Sequence, residues 1–520
     1  MKETMSALRS LVVRYAGKMN WPGILFCLAP LLVFLLVVCL LRANPFQWVP
    51  LWSDEAGWYV QVNSVVKFGA PLGYTGYNET HAAVGTFGPW GAFMIWAMAL
   101  FGKVFGWRYS SPLFMNVVYW MLANFVFLLF TRPGRSALMK LAALNFILFL
   151  SIQYMFTGMS ECTRFSMAIV LAGLFYYLLQ DENGTRKGYV IILSVVAPVL
   201  LFLFVNCYIL FSVLLPVYGY AWFKYLRPRR CRVLLLVLLV AILPVFIFKV
   251  CSFIQVQTTA AYPHNSVGAC LSQPNVAAFF KVLKATMAAN LKNADFSFIF
   301  KNPSAAYGCG SSYLLFYYCL TTVAWVQLVV ALIASKKFHV LIFLIAYALS
   351  IFVFAFLALY SASLWTYIRG LNVAFIFSMY LVCMLDWPKL HLVLFGLIFM
   401  QLLPFATVIR LDMAARYLER SIYGGGHSFL EKYSAVFSEK LVPSKSKDPW
   451  DNTVACYGRP TNLGCAFPAG ISWNFIMDGH AVNKPRYIVS GRDRSAFNGY
   501  RKTFEDDLIC IFERIRGKAE

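Results

Sequence analysis

Two adjacent carboxylates follow the first long apolar run of the chain. Asp54 and Glu55 stand in "PLWSDEAGWYVQV" (50–62), a stretch that contains no lysine or arginine. A carboxylate can take the proton from an attacking hydroxyl group, so the pair could supply a general base. Ser53 is a good N-cap, and acidic residues in a first helical turn complement the helix dipole, which is the alternative role. Asp54 is the preferred base, and Glu55 is better suited to the helix start.

A second polar group lies in the glycine-rich stretch "GYTGYNETHAAVGTFGPWG" (73–91), which contains Tyr77, Glu79 and His81. Glycines allow the backbone to turn close to a ligand, and tyrosine rings offer flat surfaces to sugar rings. We therefore expect these three side chains to contact a substrate. An ordinary surface loop is the alternative.

Three further motifs place charged residues at the ends of apolar runs. Glu161 and Arg164 lie in "SECTR", Arg369 lies in "LWTYIRGLN" and Arg108 lies in "FGWR". Ionisable groups at a membrane boundary are candidates for function, and the planar guanidinium of arginine suits a phosphate group. The alternatives are an exposed helix-end ion pair of little energetic value and arginines that reach lipid phosphates.

The elements that must position these residues are strongly apolar. The chain is 60% hydrophobic and only 13% charged, which is too apolar for a water-soluble protein of 520 residues. Repeated apolar runs of about 18–25 residues predict transmembrane helices. The basic residues behind the net charge of +23 cluster in short loops between the runs. The positive-inside rule explains that placement, so no nucleic-acid partner is expected.

The placement of the basic loops also predicts the topology. If the run at 88–105 is a re-entrant or surface-lying helix, then "TRPGRSALMK" (131–140) and the later basic loops all face the cytoplasm. We therefore predict an all-α polytopic membrane protein with about eleven transmembrane helices, its N-terminus inside and its C-terminus outside. The predicted spans are the other apolar runs, at 22–41, 112–130, 139–157, 163–179, 189–205, 208–223, 233–250, 313–334, 338–360, 369–385 and 390–410.

Three long segments fall on the outer face in this topology. They are the first outside loop (42–111), a large loop (251–312) and the C-terminal segment (411–520), which follows a transmembrane domain over 1–410. The C-terminal segment is polar, and "PRYIVSG" and "DDLICIFERI" within it are typical of strands. We predict that it is a small extracytoplasmic α+β domain with juxtamembrane helices beside it.

The thirteen cysteines do not follow the spacing of a zinc site. Cys456 and Cys465 lie in the predicted outer segment, where an oxidising compartment would allow a disulfide. The spacing alone does not decide whether the bond forms.

Taken together, these motifs resemble the GT-C superfamily of polyprenyl-phosphate-sugar-dependent glycosyltransferases, which includes protein O-mannosyltransferases, aminoarabinose transferases and oligosaccharyltransferases. The matching features are Asp54 and Glu55 after the first span, the helix at 88–105, the "FGWR" segment, Glu161 in the next outside loop and Arg369 in a late span. Two features differ from aminoarabinose-type members: "HAAVGTFGPW" replaces a Lys-Pro-Pro motif, and Asn206 replaces a lysine between the fifth and sixth spans.

The resemblance implies a reaction on the outer face of a bacterial cytoplasmic (inner) membrane. A sugar on a polyprenyl phosphate would be the donor, and a cell-envelope glycan, lipid or protein would be the acceptor. Asp54 would act as the general base in an inverting transfer, and Arg369 would hold the departing phosphate. Glu161, Glu79 and His81 would shape the acceptor site or bind a divalent cation, although no cofactor is firmly implied.

Two other functions stay open at the level of sequence. An O-antigen polymerase or ligase also has about a dozen spans, but its arginines are expected in a large outside loop, and 251–312 contains lysines and no arginine. A lipid-linked-sugar transporter or flippase is expected to show internal repeats and mid-span charges, and no clear repeat is found.

Overall fold

The first helix within the described residues, α1 (Trp21–Leu41), is apolar throughout and contains Pro30. The computed structural model describes residues 21–51, 53–69, 74–77, 92–146, 148–180, 273–293, 330, 364–384, 426–446, 449–457, 461–468, 471–476, 485–491 and 496–515. Within that part of the chain, two helices are long and apolar enough to cross a membrane, α1 and a later helix over Ser111–Thr131.

Proline has no N–H group, so Pro30 cannot donate to the carbonyl of Phe26 one turn earlier. Asn124, in the helix over Ser111–Thr131, supplies the missing donor, because its Nδ2 atom lies 3.0 Å from that carbonyl oxygen. Both groups are buried. A polar side chain of one apolar helix therefore satisfies the backbone of another, as a membrane interior requires.

Two short helices lie within residues 42–111, the segment predicted as the first outside loop. The helix α2 (Ser53–Phe68) follows a 3₁₀ turn at Pro45–Gln47, and α3 (Ala92–Phe105) packs against α2. The fourteen described residues of α3 extend about 21 Å, which is less than the roughly 30 Å of a hydrocarbon core. Residues 88–91 lie outside the described residues, so the interpretation of 88–105 as a helix that does not span the membrane stays a prediction.

The next helices are α4 (Ser111–Thr131), α5 (Arg135–Asn145), α6 (Phe149–Met155) and α7 (Glu161–Gln180). The prediction of one continuous span over 139–157 is wrong, because α5 and α6 divide this run. Asn145 turns its amide back to the carbonyl of Leu141, and the backbone at Leu148 leaves the helical region with ψ of 71°.

Two later helices are α8 (Val276–Asn293) and α9 (Leu364–Met384), and α9 packs against α7 and α5. On α9, the buried hydroxyl of Tyr380 donates to Asn124 Oδ1 at 2.8 Å. Six of the predicted spans lie outside the described residues, apart from residue 330. They are 189–205, 208–223, 233–250, 313–334, 338–360 and 390–410. The count of eleven spans therefore stays a prediction.

The C-terminal residues combine a helix, α10 (His427–Lys440), with strands of a six-stranded sheet. The strands are β1 (Tyr74–Tyr77), β2 (Thr453–Tyr457), β3 (Ser472–Ile476), β4 (Tyr487–Gly491), β5 (Tyr500–Glu505) and β6 (Ile509–Arg514), with 3₁₀ turns at Pro449–Asn452 and Thr461–Ala466. Their order is β1-β3-β2-β4-β6-β5, in which β1 to β4 are parallel and β5 and β6 pair in antiparallel fashion. The strands predicted in "PRYIVSG" and "DDLICIFERI" are β4 and β6.

The sheet joins two distant parts of the chain. β1 belongs to the first outside loop, yet it pairs with β3, with Tyr74 opposite Trp473 and Tyr77 opposite Phe475. Ala56 and Val60 of α2 also share one apolar core with α10 and the buried faces of β2, β4 and β6. The first outside loop and the C-terminal segment therefore fold as one packed unit.

Candidate active site

The carboxylate of Glu55 links the start of α2 to the loop that precedes α7. Its Oε2 atom accepts the N–H of Leu51 at 2.6 Å, and its Oε1 atom accepts the N–H of Gly158 at 2.7 Å. Only 2% of Glu55 is exposed, so these bonds form away from water. The bond back to Leu51 resembles the reciprocal bond of a capping box. This geometry favours the positioning role of Glu55 over the role of base.

Asp54 lies in the first turn of α2, next to Glu55. Its backbone is therefore placed beside the loop over 156–160, because Glu55 holds Gly158 of that loop. Glu161 follows three residues after Gly158 and opens α7. The structure thus brings together two acidic motifs that are about a hundred residues apart in the sequence.

The same loop is held from its other side by Asn116, a buried residue of α4. Asn116 Nδ2 lies 3.3, 3.2 and 2.9 Å from the carbonyl oxygens of Tyr154, Met155 and Thr157. The last carbonyls of a helix have no donor within the helix, so Asn116 caps the end of α6. The loop between α6 and α7 is therefore fixed by hydrogen bonds from two different helices.

Gly158 leaves no room for a side chain at this junction. A Cβ atom there would lie 3.3 Å from Cβ of Glu55 and 3.3 Å from Cη2 of Trp48. Trp48 is fully buried. Only glycine therefore allows the loop to come close enough for its N–H to reach the Glu55 carboxylate without displacement of its neighbours.

Glu161 and Arg164 form an ion pair with Nη1 and Oε1 separated by 3.4 Å. Their side chains are 1% and 4% exposed, so the interpretation as an exposed helix-end pair is wrong. The desolvation of two charges can exceed their mutual attraction, whereas the loss of one partner costs about 3–5 kcal/mol. Burial of this pair at the start of α7 is therefore expensive and marks the site as a functional candidate.

The "FGWR" segment places its tryptophan and its arginine differently. Trp107 donates its indole N–H to the backbone carbonyl of Tyr59 at 3.1 Å, and its ring stacks on the Tyr59 ring. Arg108 is exposed, and its backbone N–H donates to Ser111 Oγ at 2.8 Å. Tyr109 contacts Tyr59 and the ring of His427, and burial raises its pKa to about 12. Trp107 and Tyr109 thus fix α2, and Arg108 lies at the surface.

Cys465 lies near Glu55 in the shared core. Burial, and next the negative charge of Glu55, raises the pKa of the Cys465 thiol well above its ordinary value. The thiol is therefore neutral and unsuited to act as a nucleophile. Cys456 and Cys465 are both free and buried, so the disulfide that the sequence allowed does not form.

The structure gives backbone positions for two more predicted site residues. Tyr77 ends β1, and Arg369 lies in the second turn of α9, the helix that packs against α7. Glu79 and His81 lie outside the described residues. Among the residues whose placement is described, no group of three or more His, Cys, Asp or Glu side chains could hold a metal ion.

Sequence reasoning missed the residues that hold the junction, Trp48, Asn116 and Gly158. A signal for Asn116 exists, because an amide in the middle of "SPLFMNVVYW" is a polar group within an apolar run. Trp48 and Gly158 carry no such signal, since their importance depends on which segments meet.

No known protein family and no curated protein sequence matches the chain. Solved structures do match. ArnT from Cupriavidus metallidurans, solved with undecaprenyl phosphate, matches with a TM-score of 0.49 and 11% identity over 93% of this chain and 97% of that chain. The oligosaccharyltransferase AglB from Archaeoglobus fulgidus, solved with an inhibitory peptide and a dolichol-phosphate, matches with a TM-score of 0.45 and 12% identity over 91% and 70%. Because these TM-scores are below 0.5, the roles of residues rest on this chain's own geometry.

Proposed function

We propose that this protein is a membrane glycosyltransferase that moves a sugar from a polyprenyl-phosphate donor to a cell-envelope acceptor. The reaction takes place on the outer face of the bacterial cytoplasmic membrane. The observation that carries the proposal is the bond between Glu55 and Gly158. It joins the acidic start of α2 to the start of α7, where the buried pair Glu161–Arg164 lies.

Asp54 is the general base of the proposed reaction. It takes the proton of an acceptor hydroxyl, and the resulting oxygen attacks the anomeric carbon from the face opposite the phosphate. The new glycosidic bond forms as the bond between the anomeric carbon and the phosphate oxygen breaks. The polyprenyl phosphate leaves with the bonding electrons, and the anomeric configuration is inverted. Phosphate is a good leaving group, so the mechanism needs no general acid.

Positive charge stabilises the departing phosphate in this proposal. Arg369 is the main candidate, because its helix packs against α7, and Arg108 is the second, because it is exposed at the start of α4. A guanidinium can hold two phosphate oxygens at once, which lowers the energy of the charge that develops on them.

The acceptor site is assigned to the end of β1, to the residues that follow β1 in the sequence and to the start of α7. Tyr77 ends β1, Glu79 and His81 follow it in the sequence, and Glu161 and Arg164 belong to α7. These carboxylate and imidazole groups also suit a divalent cation, which would add positive charge near the phosphate. Pairing of β1 with β3 supports this assignment, since it anchors the chain directly before Glu79.

The proposal is tested with purified protein in lipid nanodiscs. Donors are radiolabelled lipid-linked sugars extracted from the source membranes, and acceptors come from its cell envelope. We expect wild-type protein to transfer label and release polyprenyl phosphate, and Asp54→Asn to lose transfer at least a hundredfold with an unchanged melting temperature. Transfer by Asp54→Asn at the wild-type rate would refute the assignment of Asp54 as the general base. Movement of lipid-linked sugar across proteoliposomes without release of polyprenyl phosphate would indicate a flippase instead.

A further inference from the structure

The segment around the start of α7 contains an unusual number of buried polar atoms that have no protein partner. Among them are Ser151 Oγ, Gln153 Oε1, Ser160 Oγ and Thr163 Oγ1, none of which has a hydrogen-bond partner in the described part of the chain. Native proteins contain only a few such atoms per hundred residues, and these lie within residues 151–163. Each would cost about 1–3 kcal/mol if nothing bonded to it, so a ligand that fills the site is expected.

Ser160 directly precedes α7 and Thr163 lies in its first turn, and residues three apart at a helix start are neighbours. They are 1% and 2% exposed. The Ser160 carbonyl already accepts the N–H of Arg164, which fixes the turn that carries both hydroxyls. Trp48 adds a buried indole N–H without a partner in the described residues, beside Gly158. The surroundings of Ser160 therefore offer two hydroxyls, which can donate and accept hydrogen bonds, and the indole N–H of Trp48, which can donate one.

Within the described residues, the unpartnered groups at this turn are neutral, two hydroxyls and an indole N–H. A phosphate is held most strongly by charged donors, whereas neutral donors and acceptors match a neutral polar ligand. The hydroxyl groups of a sugar donate and accept in the same way as Ser160 and Thr163, and the Trp48 ring, which lies against Gly158 two residues before Ser160, suits a sugar face.

We propose that Ser160, Thr163 and Trp48 form a subsite that binds the hydroxyl groups of a sugar residue of the substrate. The inference rests on the proposed transferase function, and it adds residues that set specificity for the sugar. Loss of one hydroxyl should weaken binding of the sugar about fivefold, the equivalent of ~1 kcal/mol.

The first test measures stability without any ligand. We expect Thr163→Val and Ser160→Ala to melt at the wild-type temperature or above, because each removes a buried hydroxyl that has no protein partner. Ser166→Ala is the matched control. The Ser166 hydroxyl, also buried in α7, donates to the carbonyl of Cys162 at 3.0 Å, so its removal should lower the melting temperature. A clear fall in the melting temperature of Thr163→Val and Ser160→Ala would show that the two hydroxyls bond to a group of the protein, and it would overturn the subsite.

The second test compares two lipids. Nanodiscs with wild-type protein or Thr163→Val are titrated with undecaprenyl phosphate and with undecaprenyl phosphate that carries glucose, galactose, mannose or N-acetylglucosamine. If the donor's sugar fills the subsite, Thr163→Val binds the preferred sugar lipid about fivefold more weakly and binds undecaprenyl phosphate as wild type does. If the acceptor's sugar fills it, both affinities stay unchanged and the KM for the acceptor rises.

Unchanged affinities together with an unchanged acceptor KM would overturn the subsite. Failure of wild-type protein to bind either lipid would instead reject the proposed function. In that case the same variants are titrated with the free monosaccharides. Weaker binding by Thr163→Val than by Ser166→Ala would support the subsite, and equal binding would reject it.

Discussion

Glu55→Gln is the substitution that most directly tests how the candidate site is assembled. Glu55 is buried and accepts backbone N–H groups from Leu51 and Gly158 at 2.6 and 2.7 Å. Hydrogen bonds to a charged group contribute about 1.5–3 kcal/mol each. Glutamine keeps one acceptor oxygen and presents an NH₂ group to the second N–H, which then loses its partner.

The expected cost follows from these two changes. One charge-assisted bond is lost, at about 2 kcal/mol, and the other becomes neutral, at a further ~1 kcal/mol, so the total is about 3 kcal/mol. With an unfolding entropy of about 2 cal/mol/K per residue, that loss should lower the melting temperature of the 520-residue chain by about 3 °C. Because large membrane proteins tend to unfold irreversibly, the variants must be compared at one heating rate.

The assay is thermal unfolding of detergent-purified protein, followed by size-exclusion chromatography with fluorescence detection. Glu431→Gln is the matched control, since the Glu431 side chain is 63% exposed and its pair with His427 should contribute little. Asp54→Asn should melt as wild type does. If Glu55→Gln also melts as wild type does, the Glu55 carboxylate does not hold α2 to the loop before α7, and the proposed site loses its central bond.

Three further results are expected from the same unfolding assay. Asn124→Leu should cost about 1–3 kcal/mol, because the carbonyl that Pro30 leaves without a donor loses its replacement; an unchanged melting temperature would contradict this. Gly173→Leu should lower the melting temperature strongly, because even a Cβ atom there would lie 2.9 Å from Cα of Phe127, and Gly134→Leu, with open space, is the control. Burial acts to raise the pKa of Asp506, but hydrogen bonds from two backbone N–H groups and a tyrosine hydroxyl outweigh it and hold the pKa below its ordinary value. Asp506 should therefore stabilise the fold above pH ~4 and lose that effect as pH falls through its folded pKa, so Asp506→Asn should be less stable than wild type at pH 7, and the difference should shrink as the pH falls through the folded pKa.

The sequence predicted several local features correctly. The apolar runs at 22–41 and 112–130 are α1 and α4, because a long stretch of apolar side chains suits only a helix in an apolar environment. The residue types of "PRYIVSG", which are typical of strands, predicted β4. The run at 139–157 was misjudged, since hydropathy does not register the turn of Asn145 back onto its own helix.

The candidate site could be predicted only in part. The acidic residue types stand out in the sequence, as does the helix start at Ser53. The role of Asp54 as the base stays a prediction, and the bond that fixes Glu55 joins residues 103 positions apart. No local pattern specifies such a contact, because it depends on where α2 and α7 meet.

The sequence by itself determined the class of protein and the residue types available for chemistry. Hydropathy and charge placement do this because each residue's preference for lipid, water or one side of the membrane is a property of that residue. Tertiary structure alone decided that the Glu161–Arg164 pair is buried, that β1 of the first outside loop completes the C-terminal sheet, and that Glu55 holds Gly158. These features depend on burial and on contacts between distant segments, which exist only after the chain has packed.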